Sequence, residues 1–295
     1  MKLLQLEYFQ EVAKAQSITK AAKILNISQP TLSIMISKLE EELGYPLLNR
    51  QGRNISLTPY GEKVLRYSYI VLHKMEDIKL EFGEMRGEEA EQKISLGLTD
   101  SNFYGDWILE LLKKYPESKL NSVQMCRDDI YYNLLTGNLD FGICNGAGTV
   151  FSQQLNSRLL FSQPYQLLVF KDHPLAANGS ITIEQLRKEP LISLPPSHKE
   201  RMIDNVTREL QFKPNIIFEG NSDIMIEMFH ARVGSILTCA HNCKQWMRLP
   251  ADQYEVLNIQ GVNLRYEMYL VWAKHRYLSK WAQTFHDYVL DYYHV

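Results

Sequence analysis

The stretch SITKAAKILNISQPTLSIMISKLEEELGYPLLNRQGRNISLTPYG, residues 17–61, decides the fold of the N-terminal region. It opens on Ser17, a residue type that caps helix N-termini by accepting a backbone amide proton. The helix that follows has three residues spaced to form one apolar face, Ala21, Ala22 and Leu25. Asn26 then ends this first short helix.

A second helix begins almost at once. Ser28 is its candidate N-cap, and Pro30 falls in its first turn, where a missing amide proton costs little because the early amides have no intrahelical acceptor. Apolar residues at helical spacing predict one buried stripe, formed by Leu32, Ile36, Leu39 and Leu43. Gly44 ends the helix. A connection of only Asn26 and Ile27 between the two helices predicts a helix-turn-helix.

The opposite face of the second helix is polar. Short polar side chains there let a backbone approach a groove closely and bond to base edges or phosphates. Downstream, the turn from Arg50 to Asn54 lies between two short apolar runs, which predicts a hairpin wing with two guanidiniums, those of Arg50 and Arg53, near its tip. The predicted DNA-binding residues are Ser17, Thr19, Lys20, Ser28, Gln29, Pro30, Thr31, Ser33, Ser37, Lys38, Arg50 and Arg53.

Charge supports this interpretation modestly. Residues 1–66 contain nine Lys or Arg and six Glu, which gives them a net charge of +3. Because the whole chain has a net charge of −2, the remaining residues have a net charge of about −5. A basic head on an acidic body is the pattern expected of a DNA-binding protein. The alternative for this region is a helical core unit that binds no nucleic acid.

These residues carry a family resemblance. The N-terminal run resembles the DNA-binding domain of LysR-type transcriptional regulators, whose pattern S-x-T-x-A-A-x-x-L-x-x-S-Q-P-x-L-S-x-x-I-x-x-L-E-x-x-L-G-x-x-L-x-x-R, then L-T-x-x-G, is met at nearly every fixed position. Two departures are Ile34 and Met35, where many relatives carry Arg and Gln, and Leu48 and Asn49, which replace the usual Phe. The first predicts an operator different from the common one.

The whole chain has the composition of an ordinary globular protein, with 45% hydrophobic and 22% charged residues. No apolar run approaches the roughly 20 residues needed to cross a bilayer. The opening MKLLQLEYFQEV is interrupted by polar residues and predicts an amphipathic helix, not a signal peptide, so we expect a cytoplasmic protein without membrane contact. Four cysteines in such a chain indicate reduced thiols.

From Pro59 to about Arg86 the sequence keeps a helical period. The apolar positions form a coiled-coil-like seam, made of Val64, Tyr67, Val71, Met75, Ile78, Phe82 and Met85. A lone helix with this stripe would expose much apolar surface, so we predict pairing with a second subunit and an operator with dyad symmetry. The alternative is packing on the chain's own C-terminal domain. The resemblance implies a linker helix, a homodimer and commonly a homotetramer, with RNA polymerase as a further partner.

Gly83, Gly87 and the polar run 88–93 break the period and predict a hinge. The predicted domains are therefore a winged helix-turn-helix over 1–58, a linker helix over 59–88 and an effector-binding domain over 92–295. Within the last of these, lobe 1 covers about 92–161 and 268–295, and lobe 2 covers about 162–267.

The body alternates short strands with helices. Predicted strands are 94–98, 120–125, 139–144, 167–170, 191–194, 216–219, 236–238 and 268–272, and predicted helices are 107–115, 130–135 and 278–292. This alternation predicts an α/β fold of parallel strands in two lobes, joined by crossing strands near 161–170 and 264–273. The motifs LDFGI at 139–143 and HPLA at 173–176 also resemble the family, which implies the two-lobed fold of type 2 periplasmic binding proteins.

In such lobes, ligands collect at the carboxyl ends of strands and at helix N-termini. The candidate effector-binding residues are Thr99, Asp100, Ser101, Asn102, Arg127, Asp128, Asn145, Pro196, Ser197, His198, Asn221, Ser222 and Thr238. Ser101, Asn102 and Arg127 suit a carboxylate, and Asp100 or Asp128 could accept an amine. A small organic acid or amino acid is the predicted effector. Loop capping or solvation is the alternative for each polar residue taken singly.

Other chemistries find less support. Cys239, His241 and Cys243 form C-A-H-N-C, but without a second ligand pair this spacing favours reduced thiols over a zinc or redox site. A disulfide joining Cys126 to Cys144, or Cys239 to Cys243, is the redox alternative. No cofactor is expected besides the effector. An enzyme or a solute-binding protein on the two-lobed body is the alternative function, yet no nucleophile elbow, phosphate loop or metal-binding His pair occurs.

Overall fold

The computed structural model describes residues 1–49, 55–88, 92–99, 106–146, 153–193, 207, 210–239 and 252–295. The chain forms two compact units. The first contains Met1–Ala90 together with two short segments, Leu135–Asn138 and Lys274–Lys280. The second contains Glu91–Leu134, Leu139–Ala273 and Trp281–Val295.

The first unit confirms the predicted helix-turn-helix with its wing and long helix. Its elements are α1 (Leu3–Ala15), α2 (Ile18–Ile24), α3 (Gln29–Leu43), β1 (Leu48–Asn49), β2 (Ser56–Leu57) and α4 (Pro59–Met85). One boundary differs from the prediction, because α2 ends at Ile24 and the connection to α3 is therefore four residues long. Leu25 is the C-cap, and Asn26 adopts a left-handed backbone with φ of 54° that turns the chain toward α3.

The predicted caps are present. The Ser17 and Ser28 side chains accept hydrogen bonds from the amides of Lys20 and Thr31, each at 3.3 Å. Gly44 ends α3 in the left-handed region, with φ of 75°. The apolar faces of α1, α2 and α3 meet in one core, in which Phe9, Val12, Ala21, Leu32, Ile36 and Leu39 are fully buried. The predicted stripe of α3 is thus the part of the core that fixes this helix.

Gly61 lies where α4 passes closest to the wing. A Cβ at this position would come 2.1 Å from the carbonyl oxygen of Leu47. We expect Gly61→Ala to destabilise the protein by about 2 kcal/mol or more, since a backbone clash of this size outweighs the gain of up to about 1 kcal/mol in helix propensity. Urea unfolding of the full-length protein measures this difference.

Gly83 is the matched control on the same helix. A Cβ there would meet only the carboxylate end of the Glu88 side chain, at 3.2 Å, and that exposed side chain can move away. Gly83→Ala should therefore be neutral or stabilising. Equal stabilities of the Gly61→Ala and Gly83→Ala proteins would contradict the close approach of α4 to Leu47.

The second unit contains two sheets. The first sheet is five-stranded in the order β4-β3-β5-β13-β6, formed by β3 (Lys93–Leu98), β4 (Lys119–Gln124), β5 (Phe141–Asn145), β6 (Leu155–Pro164) and β13 (Arg265–Ala273). The helices of this lobe are α5 (Asp106–Lys114), α6 (Arg127–Leu135) and, at the C-terminal end, α9 (Lys280–Tyr293). Buried aromatic rings join α9 to this sheet, with Phe285 5.0 Å from Phe141 between ring centroids.

The second sheet is six-stranded in the order β10-β9-β11-β7-β12-β8. Its strands are β7 (Gln166–Phe170), β8 (Ser180–Ile181), β9 (Leu191–Ser193), β10 (Ile216–Glu219), β11 (Ser235–Thr238) and β12 (Tyr254–Ile259). A 3-10 turn at Ala176–Asn178 and two helices, α7 (Ile183–Lys188) and α8 (Ser222–His230), accompany it. Leu168, Ile192 and Ile236 of the sheet pack against Met225 and Phe229 of α8.

The predicted α/β fold is confirmed, but the prediction of parallel strands holds only in part. β3, β4 and β5 are mutually parallel, as are β9, β10 and β11. β7 and β13 run antiparallel to their neighbours. β7 begins just after the chain passes from the first sheet to the second at Tyr165, and β13 begins just after it returns near Leu264. The directions of these two strands are therefore set by the crossing. None of the helices in the described part of the chain combines the length and apolar composition needed to span a bilayer.

Candidate functional site

The polar face of α3 is available to a partner. Among the predicted DNA-binding residues, Ser33 and Ser17 are partly buried, and the exposed ones are Thr19, Lys20, Ser28, Gln29, Pro30, Thr31, Ser37 and Lys38. Ser28 and Thr31 join their hydroxyls at 2.7 Å beside the N-cap, so part of their hydrogen-bonding capacity serves the helix itself. Gln29, at the first helical position, projects from the end of α3 that a helix-turn-helix directs at base edges.

The wing begins as predicted, with β1 and β2 paired antiparallel from Leu48 to Leu57. Arg50 and Arg53, the predicted guanidiniums of the wing, lie outside the described residues.

A residue that the sequence reasoning missed positions this wing. Glu40 of α3 accepts hydrogen bonds from the amides of Leu47 at 2.7 Å and Leu48 at 3.1 Å. The acidic residue directly after Leu39 was the available signal, because a carboxylate beside a buried stripe needs donors.

The apolar stripe of α4 faces solvent along most of its length. Val64 packs on the core of the first unit, whereas the remaining members are exposed: Tyr67, Val71, Met75, Ile78, Phe82 and Met85. Phe82 is 58% exposed and Met85 78%. The parts of the first unit that surround α4 therefore leave these six side chains uncovered.

A different face of α4 holds the segment Lys274–Lys280, here called the clamp segment. Asp77 is 3% exposed and accepts hydrogen bonds from the Tyr277 amide and from Lys74 Nζ, each at 3.0 Å. Arg276 Nε lies 3.3 Å from Asp77 Oδ1, as an ion pair without hydrogen-bond geometry. The buried Asp77 carboxylate is thus stabilised by two positive charges and by a backbone N–H donor.

About two turns further along α4, Glu84 makes a second attachment. Its oxygens accept hydrogen bonds from the Tyr277 hydroxyl at 2.9 Å and the Lys280 amide at 2.8 Å. The bond to Glu84 raises the pKa of Tyr277 above its ordinary value, which keeps the phenol protonated as a donor. Since Lys280 is the first residue of α9, Glu84 also supplies an N-terminal hydrogen-bond acceptor for that helix.

The segment Leu135–Asn138 completes the clamp. His73 of α4 donates from Nε2 to the Thr136 carbonyl, and its Nδ1 lies 2.8 Å from Glu76 Oε2 and 3.1 Å from Arg276 Nη1. Gly137 has φ of 68°, and a Cβ there would overlap the side chains of His73 and Arg276. Sequence periodicity did not reveal any of this, because the residues are separated by up to 203 positions.

The predicted effector residues of the first lobe collect at one sheet edge. Thr99 directly follows β3, and Asn145 is the last residue of β5. The Thr99 hydroxyl accepts a hydrogen bond from the Asn145 backbone amide at 3.2 Å. Arg127 and Asp128 occupy the first turn of α6. Burial raises the pKa of Cys144 to about 12, and the charge of Arg127 opposes this shift. Asp100, Ser101 and Asn102 lie outside the described residues.

In the second lobe, Asn221 accepts from the Ile224 amide at 2.9 Å as the N-cap of α8, and Ser222 is the first residue of that helix. Thr238 ends β11 and is 3% exposed, with a hydroxyl that has no hydrogen-bond partner among the described residues. Pro196, Ser197 and His198 lie outside the described part of the chain. The structure thus brings Thr99, Asn145 and Arg127 to one edge, and Asn221 and Thr238 to another.

A polar cluster on the crossing strands was missed by the sequence reasoning. Arg265 donates to the Ser162 hydroxyl at 2.6 Å and to its carbonyl at 2.8 Å. Glu267 accepts from the same hydroxyl at 3.4 Å and from the Tyr269 hydroxyl at 2.8 Å. Burial and the Glu267 carboxylate together raise the pKa of Tyr269 to about 12. The alternation of Arg265, Glu267 and Tyr269 was the signal, since residues two apart share one face of a strand.

The cysteines offer little reactive chemistry in the described residues. Cys126 and Cys144 form no disulfide among the described residues, and Cys144 and Cys239 are buried. Desolvation raises the pKa of both Cys126 and Cys144, which disfavours the thiolate needed for disulfide exchange. Cys243 lies outside the described residues, and so does His241.

Two family models match this chain. The model described as "Bacterial regulatory helix-turn-helix protein, lysR family" matches residues 3–62, and the model described as "LysR substrate binding domain" matches residues 87–293. The relative YybE of Bacillus subtilis, described as an uncharacterized HTH-type transcriptional regulator, is 31% identical over 300 residues and covers 99% of each chain. AlsR of the same organism, an HTH-type transcriptional regulator, is 32% identical over 240 residues, or 79% of each chain.

Solved structures share the fold. A full-length OxyR variant from Pseudomonas aeruginosa has a TM-score of 0.73 at 23% identity and covers 100% of this chain and 95% of its own. Full-length CbnR in complex with its target DNA has a TM-score of 0.56 at 20% identity and covers 99% and 100%. With both family models matched in order and a full-length relative above 30% identity, the chain belongs to the LysR family of bacterial helix-turn-helix transcription regulators and is a DNA-binding regulator, not an enzyme.

Proposed function

We propose that this regulator binds a dyad-symmetric promoter site as a homodimer and that a small organic acid or amino acid, bound between the two lobes of its second unit, changes that binding. The exposed polar face of α3, held on a buried apolar stripe, is the observation that carries the DNA-binding role. The helix can enter a major groove without disturbing the core beneath it. The two wings would add minor-groove contacts through Arg50 and Arg53.

The exposed stripe of α4 supports the dimer. Six apolar residues at coiled-coil spacing face solvent in the single chain, and a second copy of the same helix is the partner with matching period. Two paired helices would present two heads to two half-sites. A homotetramer, contact with RNA polymerase and action in the cytoplasm, where promoter DNA is found, complete the proposal on the family resemblance. No cofactor is needed besides the effector.

We assign the effector site to the carboxyl ends of the parallel strands in the two lobes. Arg127, Thr99 and Asn145 supply a cation, a hydroxyl and an amide at the carboxyl ends of β3 and β5, a set suited to a carboxylate. The clamp segment provides a route for regulation, because it is covalently continuous with β13 before it and α9 after it. An effector that favours one arrangement of those strands would change how firmly α4 holds the segment.

A footprint on the DNA upstream of the coding sequence, at two salt concentrations, tests the proposal. We expect a protected region with a dyad and a steep loss of protection with salt, because a dimer displaces counterions from several phosphates. Protection of a single half-site would contradict the dimer. A stable dimer that protects no genomic fragment would contradict the role of α3 as a recognition helix and implicate Ile34 and Met35.

Gln29→Ala tests base readout by α3. Loss of an amide that bonds a base edge should weaken binding to the preferred operator by about tenfold or more while leaving binding to unrelated DNA nearly unchanged. Lys38→Ala is the matched control on the same exposed face, and it should weaken binding to all sequences and reduce the salt dependence by about one phosphate contact. Fluorescence anisotropy with both DNAs measures these effects. Equal losses on both DNAs in the Gln29→Ala protein would show that this residue only positions the helix.

A further inference from the structure

Two polar atoms of the second lobe are buried without a hydrogen-bond partner among the described residues, and they belong to residues that face each other on neighbouring strands. They are Oγ1 of Thr238, at the end of β11, and Oε1 of Gln166, at the start of β7. Thr238 and Gln166 are direct partners in the antiparallel pairing of these strands. Cross-strand partners have Cβ atoms about 5 Å apart, so one small group could reach both atoms.

The pleat places this pair on the same sheet face as α8. Residues two apart on a strand share a face, and Leu168 and Ile236, two positions from Gln166 and Thr238, pack against Met225 and Phe229 of that helix. The same row continues to Asn258, which accepts from Gln166 Nε2 at 2.8 Å and is exposed. The row is therefore polar from an exposed end at Asn258 to a buried end at Thr238.

The position relative to the sheet is that of the effector cleft. Thr238 ends β11 at the same edge where Asn221 caps α8 after β10, and Gln166 directly follows the crossing point at Tyr165. A native interior rarely leaves a hydroxyl and an amide oxygen unpaired, because each loses its bonds to water without a replacement. Such a pair at a binding edge is explained by a ligand that completes it.

We propose that Thr238 and Gln166 together bind a hydroxyl group of the effector, which is therefore a small hydroxy acid. A hydroxyl donates one hydrogen bond and accepts others, so it can donate to Gln166 Oε1 and accept from the Thr238 hydroxyl at once. An ammonium group would donate to both oxygens but leave the Thr238 hydroxyl proton without an acceptor. A carboxylate would accept from Thr238 but repel Gln166 Oε1. An unsubstituted acid whose carboxylate is bound elsewhere has only carbon to place beside the two atoms. This inference rests on the proposed effector cleft and narrows its ligand.

The first test needs no ligand. Thr238→Val removes an unpaired buried hydroxyl and keeps the shape of the side chain, so we expect the melting temperature of the full-length protein to rise by about 2–4 °C. Thr182→Val is the matched control in the same lobe, because the Thr182 hydroxyl is paired with the Gln185 amide at 3.3 Å as the N-cap of α7. That variant should melt at a lower temperature. A fall in both variants would overturn the proposal.

The second test compares three pairs of acids by calorimetry: L-lactate with propionate, L-malate with succinate, and 3-hydroxybutyrate with butyrate. In the wild-type protein, at least one hydroxy acid should bind about tenfold or more tightly than its partner, since the unsubstituted acid leaves both atoms unpaired. Thr238→Val should remove this preference, and Gln166→Leu should weaken it. Equal binding within every pair, or binding of none of the six acids, would overturn the proposal. Operator protection by the Thr238→Val protein should be unchanged, so loss of the ligand preference is separable from failure of the regulator itself.

Discussion

A chain carrying both Ile78→Glu and Phe82→Glu is expected to be monomeric and to bind its operator more than about 100-fold less tightly than the wild type. Both side chains are exposed members of the α4 stripe, at 44% and 58%. Pairing would bury them against the apolar stripe of a second chain, and four carboxylates would then lie in one apolar interface without counter-charges. Without the dimer, the second head loses its high effective concentration at the second half-site.

Leu80→Glu is the control for this prediction. Leu80 is an exposed apolar residue of the same helix, but it points about half a turn away from the stripe. It should leave both the dimer and the operator affinity unchanged. Sedimentation velocity gives the oligomeric state, and anisotropy with a two-half-site operator gives the affinity. A dimer that survives the double substitution would show that another surface pairs the chains.

Replacement of Asp77 by alanine is expected to be the most destabilising single change in the clamp, at about 3 kcal/mol. The substitution leaves the Tyr277 amide without its acceptor and leaves Arg276, whose side chain is 20% exposed, largely buried without an opposing charge. Breaking a buried pair by removing one partner is costly, because the remaining charge keeps its desolvation penalty. Arg276 and Lys74 keep some access to solvent, so the destabilisation should lie near the lower end of the roughly 3–5 kcal/mol that such a loss costs.

The same substitution should separate DNA binding from its regulation. The helix-turn-helix core does not include Asp77, so operator affinity should persist at temperatures where the protein stays folded. The response to effector should fall, because the clamp segment is no longer held by α4. Glu81→Ala, at an exposed acidic position on the same helix, is the control and should change unfolding in urea by less than about 0.5 kcal/mol. An effector response that is intact in the Asp77→Ala protein would exclude the clamp as the route of regulation.

The N-terminal region could be predicted closely from the sequence because its determinants are local. Ser17 and Ser28 cap helices that begin within one residue of them, and Leu32, Ile36 and Leu39 belong to a single helical stripe. The sequence also indicated most of the strands, since burial and strand length leave a pattern over a few residues, but it did not indicate β8 or β12. Predicted contacts of individual residues with DNA or effector stay predictions.

Strand direction and side-chain partnership could not be obtained in this way. β13 is apolar on one face whichever way it runs, so its sequence does not distinguish antiparallel pairing with β5 from a parallel crossover. The support of the wing by Glu40 spans seven residues and leaves no periodic trace. Gln166 would have remained an ordinary polar residue at a strand end without the register that places it opposite Thr238.

The sequence by itself determined the helix-turn-helix, the long helix with its apolar stripe, the α/β class of the body and the family, because capping, amphipathic period and motif spacing act over short distances along the chain. Only the tertiary structure decided which buried polar groups are paired. The Tyr277 amide reaches Asp77 across 200 residues, whereas Thr238 Oγ1 and Gln166 Oε1, on paired strands, have no hydrogen-bond partner among the described residues. Both outcomes depend on backbone positions fixed by the packing of the whole domain, and a hydrogen bond is made or lost over distances far smaller than any sequence pattern can specify.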